Sequence, residues 1–218
     1  PAHPACAPHA LHGFAHTLPW AAEQRGVNEL SMRLTHDPAA AIERGWPWRF
    51  DAAQHIRLDR LGLSIEMEIT NLSAEPMPAG LGAHPFFIAE PGDRIEFAAE
   101  TIWDVDDSGC ATGRRDLAGA AARHSIAIGV DGLTAHFSDC GGVAALARAD
   151  GSRIIIQSSH ALDHLVVHAP ANADYACIEP VSHVVDAFNL AARGEEKTGF
   201  ALLEPNETKR AIVRISLA

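Results

Sequence analysis

Leu61, Leu63, Ile65, Met67 and Ile69 alternate without a break with Gly62, Ser64, Glu66, Glu68 and Thr70. A period of 2 sustained this long puts every apolar side chain on one face of an extended strand and does not suit the 3.6-residue repeat of a helix. Just upstream, Ile56 and Leu58 alternate with Arg57 and Asp59 in the opposite phase, so a turn near Asp59–Gly62 should separate two antiparallel strands. The same grammar returns at Val143–Ala149, the turn dipeptide Asp150–Gly151 and Arg153–Ser158, with a further apolar run at Leu165–His168; a β-meander is the simplest reading. Near the end, Phe200–Leu203, the polar break Glu204–Pro205–Asn206–Glu207 and the alternating Ala211, Val213, Ile215 and Leu217 predict a last hairpin. Helical signals are confined to Asp37–Pro38, which could cap a short turn over Ala39–Arg44. The fold class expected is all-β, one large antiparallel β-sandwich.

At 218 residues the chain can bury one core as a single domain. Its 17 Lys and Arg against 28 Asp and Glu, a formal charge of −11, speak against a nucleic-acid partner, which draws affinity from clustered cations. Cys6, Cys110, Cys140 and Cys177 form no CxxC pair, so neither a zinc ribbon nor a disulfide scaffold is suggested and a reducing cytoplasm is the compartment expected. No apolar run approaches the roughly 20 residues needed to span a bilayer, and the opening residues lack the pattern of a signal peptide. Because residue 1 is Pro rather than Met, the single domain over residues 1–218 is expected to be incomplete at its N-terminus.

Three stretches place titratable residues in apolar or glycine-rich surroundings, where burial perturbs a pKa. They are Pro8-His9-Ala10-Leu11-His12-Gly13-Phe14, Gly80-Leu81-Gly82-Ala83-His84-Pro85-Phe86-Phe87 and Cys177-Ile178-Glu179-Pro180-Val181-Ser182-His183, with Asp186-Ala187-Phe188-Asn189 close behind the last. Gly80 and Gly82 would let a ligand approach the backbone beside His84, whose imidazole could serve as an acid or be a hydrogen-bonded structural group. Glu179, between Ile178 and Pro180, could be a base with a raised pKa or one half of an ion pair. His9, His12 and His16 have spacings open to a metal, but no Cys or carboxylate cluster lies near them, and no metal is expected. Asp131 before Gly132 reads as a turn residue, and Trp20, Trp46 and Trp48 as packing residues that could also stack on a sugar.

Taken in order, these segments resemble the aldose 1-epimerase (galactose mutarotase) family: an LHG element near a Trp, a G-x-HP-[FY]-F strand and a late EP-x-[ST]-x-x-x-DA-x-N stretch. Softer matches are Trp46–Phe50, Asn71 to Pro78 and the closing turn at Leu203–Glu207. The resemblance implies a galactose mutarotase-like supersandwich with a free sugar in a cleft across one sheet, and no cofactor. It implies His84 as the acid that protonates the ring oxygen, Glu179 as the base, and His12 and Asp131 as substrate-binding residues. Two departures are Phe86 where the family often has Tyr, and Cys140-Gly141-Gly142 where related chains often place a Trp. The family's early strands and a binding arginine would precede the start of this sequence. Rival readings are an epimerase for a phosphorylated hexose, with Arg44, Arg49 and Arg57 as phosphate ligands, a carbohydrate-binding or sensor domain without catalysis, and a His-dependent metal enzyme.

Overall fold

The computed structural model describes residues 12–40, 46–117, 123–129 and 131–218. The chain runs through β1 (Ala21–Gln24), β2 (Glu29–His36), β3 (Phe50–Asp59), β4 (Gly62–Asn71), β5 (Met77–Pro78) and β6 (Phe86–Ile88). Next come β7 (Arg94–Ala98), β8 (Thr101–Val105), β9 (Ala111–Asp116), β10 (Arg123–Ala127), β11 (Leu133–Ser138) and β12 (Val143–Ala147). The remainder holds β13 (Arg153–Ser158), β14 (His164–Ala169), β15 (Tyr175–Val181), the helix α1 (Ala187–Ala192), β16 (Leu202–Leu203) and β17 (Thr208–Leu217).

The described strands form a nine-stranded antiparallel sheet in the order β1-β2-β3-β4-β17-β13-β12-β7-β10 and a six-stranded one in the order β6-β15-β14-β11-β8-β9. Ile95, Leu146, Ile156 and Val213 of the larger sheet pack with Phe137, Val167, Ala176 and Ile178 of the smaller in one buried cluster. Each such Leu, Ile, Val or Phe contributes about 1.5–3 kcal/mol by leaving water, so this interface sets the sandwich. The expected class is therefore the observed one. The hairpin read from the alternating segment is β3–β4, in register from Phe50↔Asn71 to Asp59↔Gly62.

Two local expectations give way to tertiary pairing. β16 does not fold back on β17 but pairs with β5, because β4 and β13 occupy both edges of β17 and a strand has only two edges. The meander breaks after β13: the chain crosses to the other sheet, where β14 pairs with β11 and β15, and Leu162 in the crossing is 1% exposed. The turn expected over Ala39–Arg44 is a 3-10 turn at Pro38–Ala40, opened by the Ala39 N–H donating to Asp37 Oδ1 at 2.9 Å, and residues 41–45 lie outside the described ones. Trp20, Trp46 and Trp48 pack on a second cluster built on Leu34, Phe50, Met77 and Leu203. Among the described residues no helix is long and apolar enough to cross a membrane.

Candidate active site

Alternation divides the six-stranded sheet into two chemically different faces. On β11, β14 and β15 the residues Ala135, Phe137, Leu165, Val167, Ala169, Ala176 and Ile178 belong to the core. Their neighbours Thr134, His136, His164, His168, Cys177 and Glu179 point the other way. Register lines these up in rows: Glu179 pairs with Val166, which pairs with His136, and Cys177 lies between Phe86 and His168, which pairs with Thr134.

His84 precedes β6, and extending the Phe86↔Cys177 register by two residues brings it alongside Glu179. The segment is stitched there by backbone. Ala83 N–H donates to Pro180 O at 3.0 Å and Ser182 N–H to Leu81 O at 2.8 Å, while Leu81 N–H donates to Ser182 Oγ at 2.9 Å. Gly80 and Gly82 make room for this docking. A Cβ on Gly80 would lie 2.2 Å from the His183 ring, and one on Gly82 2.8 Å from Val181 Cγ1.

The result is His84 Nε2 at 3.4 Å from Glu179 Oε1, with side chains 30% and 8% exposed. The His84 ring stacks on Phe86 at 4.8 Å between centroids and 14° between planes, and Phe86 meets Tyr175 at 5.3 Å. On its other side His12 stands edge-on at 4.8 Å, its backbone in the left-handed region at φ 59° and followed by Gly13 at φ 72°. The structure thus brings His12, His84 and Glu179 together. Asp131 lies in the exposed turn before β11.

Burial pushes the Glu179 carboxyl up to about 7. Burial also lowers His84, only partly offset by a contact with its own backbone, and nearby His168 lowers it further. Burial thus raises the proton affinity of the carboxylate and lowers that of the imidazole. Beside them Cys177 is fully buried, and burial followed by the Glu179 charge pushes its thiol up to about 11. Cys177, His136 and His168 carried no role in the sequence reading. The signal available was their period-2 phase, opposite to that of Ala176, Ile178, Phe137 and Val167.

Other sequence candidates are structural. Asn189 Nδ2 donates to Asp186 Oδ1 and Arg193 pairs with Asp186 at 3.3 Å, fixing the start and end of α1. Arg49 pairs with Asp37 at 3.9 Å, and Arg57 with Glu29 and Asp59 at 3.7 Å. Arg57 lies on β3 in the larger sheet. Arg44, His9 and Cys6 lie outside the described residues. His12 and His16 rings are 5.8 Å apart.

The aldose 1-epimerase family model matches residues 2–216. The sequence is 28% identical over 95 residues to uncharacterized protein YphB of Escherichia coli, a match spanning 44% of this chain and 30% of that protein. The fold resembles the Slr1438 protein of Synechocystis sp. PCC 6803, with a TM-score of 0.76 and 26% identity over 95% of this chain and 68% of that one. It also resembles a galactose mutarotase-like protein from Lactobacillus casei, with a TM-score of 0.78 and 18% identity over 97% of this chain and 77% of that one.

Proposed function

The chain belongs to the aldose 1-epimerase family, and from that premise we propose that it interconverts the α and β anomers of a free hexose by acid/base opening of the ring. The observation that carries the reading is the facing of His84 Nε2 and Glu179 Oε1 at 3.4 Å on the polar face of the six-stranded sheet. Opening a hemiacetal takes a proton from the C1 hydroxyl and delivers one to the ring oxygen. Glu179 takes the first and His84 gives the second. Rotation about C1–C2 then presents the other face of the aldehyde, and the pair runs in reverse. A carboxylate raised in proton affinity is a better base and an imidazolium lowered in it a better acid, which favours both proton transfers of the ring opening.

Glucose or galactose fits this chemistry, with His12 holding the sugar next to His84 and Asp131 contributing from its turn. The reaction as written needs no cofactor, and sequence and fold together are read as one domain. Holding both groups in place supplies the remaining rate through proximity. Polarimetry of freshly dissolved α-D-glucose and α-D-galactose tests the reading: mutarotation should accelerate in proportion to protein. Acceleration confined to glucose 6-phosphate would replace it with the phosphorylated-hexose reading, and sugar binding without acceleration would replace it with a binding domain.

A further inference from the structure

Glu179 and His84 are not alone at the bottom of the site. One ring nitrogen of His84, Cys177 Sγ and one Glu179 oxygen all lie within 4.8 Å of one another. The three groups come from adjacent strand positions: Cys177 and Glu179 are i and i+2 on β15, hence on one face, and His84 is delivered across the β6 edge by the Leu81–Ser182 stitching. Tetrahedral Zn²⁺ with Zn–N, Zn–O and Zn–S bonds of about 2.0–2.3 Å places its ligand atoms about 3.4–3.6 Å apart. The His84–Glu179 separation of 3.4 Å already equals one edge of that tetrahedron, and side-chain adjustments of about 1 Å close the rest.

We propose that His84, Cys177 and Glu179 form a three-ligand site for a thiophilic divalent cation, of which Zn²⁺ is the type, and that its occupancy switches the enzyme off. Binding itself rests on the geometry alone, whereas the inhibition rests on the acid/base reading above. The ligand set of one imidazole, one thiolate and one carboxylate suits Zn²⁺ or Co²⁺ and not Mg²⁺ or Ca²⁺, which take oxygen ligands. As the metal binds, the thiol proton of Cys177 and the one proton shared by His84 and Glu179 both leave to solvent. With the lone pairs of Glu179 and His84 committed to the cation, neither group can take or deliver a proton, and the fourth position stays open to water. Cys177 has no part in the ring-opening chemistry.

Co²⁺ titration of the metal-free protein reads binding directly, since thiolate ligation gives an intense sulfur-to-metal charge-transfer band in the near ultraviolet. The band should saturate at one equivalent, vanish in Cys177→Ala, and persist in Glu179→Gln with affinity weakened by about 10-fold or more. Zn²⁺ should abolish anomer exchange by the wild type, with full recovery on adding a chelator. A band that survives Cys177→Ala, or no band at all, overturns the site. The two readings fail separately: a normal Co²⁺ band in a protein that never accelerates mutarotation removes the acid/base reading and keeps the metal site, and rapid mutarotation insensitive to Zn²⁺ does the converse.

Discussion

The two faces of β15 differ in what their residues are for. Ile178 and Ala176, fully buried against the larger sheet, hold the sandwich together. One position away on either side, Cys177 is fully buried and Glu179 6% exposed, on the face that also carries His136, His164 and His168. Burial stabilises the first pair by removing apolar surface from water and works against ionisation in the second. A single strand therefore carries both the cohesion of the fold and the perturbed groups of the site, separated only by the two-residue period.

Substitutions on the site face should strike activity hardest. Glu179→Gln and His84→Asn are each expected to slow anomer exchange by about two to four orders of magnitude, measured by polarimetry, while thermal unfolding stays cooperative. Glu179→Gln should also shift stability in a direction that a core substitution does not. The raised carboxyl pKa means the folded state holds a proton that the unfolded chain releases, so the wild type loses stability as pH rises from about 4.5 toward about 7 and the loss levels off above that. The amide carries no such cost, and above pH 7 the variant should be the more stable of the two by up to roughly 3 kcal/mol. Equal melting temperatures at pH 5 and pH 8 for both proteins would remove the claim that burial perturbs Glu179.

On the core face, Ile178→Ala should cost about 2–5 kcal/mol in denaturant unfolding. Its remaining folded fraction should still turn over sugar, which separates cohesion from chemistry on neighbouring residues. A milder probe is pH. The reactive pair needs one proton between His84 and Glu179, so kcat/KM should peak below about pH 7, falling on the acid side as a second proton binds and on the basic side as the shared one leaves. A rate still climbing at pH 9 would contradict it.

The smallest effects fall on the binding residues and compare one at the site with one away from it. His12→Ala should raise KM and lower kcat/KM by about 10-fold, the scale of one lost charge-free hydrogen bond to a positioned group. Asp131→Asn should change it by less than about 3-fold, given its exposed turn. A larger loss at Asp131 than at His12 would mean that the sugar reaches across β11 and that the site is wider than the His84–Glu179 cluster.

Much of this was legible in the sequence, for reasons that differ by element. Alternation over Leu61–Ile69 named β4 and its hairpin because one face of that strand meets the core and the other does not. Pairing partners were not legible where tertiary competition decides them: β17 reads as the mate of β16 by proximity, yet it satisfies more backbone groups with the ten-residue β4. The helix α1 was missed because six residues make under two turns, too few to display a 3.6-residue period. His84 and Glu179 stood out from their motifs, but their facing depends on Ser182 and on two glycines whose role is to admit His183 and Val181. Cys177 was given no role of its own, since nothing in a linear sequence places a thiol beside a histidine some ninety residues away.

The central claim is that the pair, not the cleft alone, catalyses. The direct test is saturation kinetics of α-D-galactose mutarotation for wild type and Glu179→Gln, with sugar binding to each measured by titration calorimetry. The account predicts unchanged sugar affinity and a turnover lower by about two to four orders of magnitude in the variant. Equal turnover in the two proteins at equal affinity would contradict it.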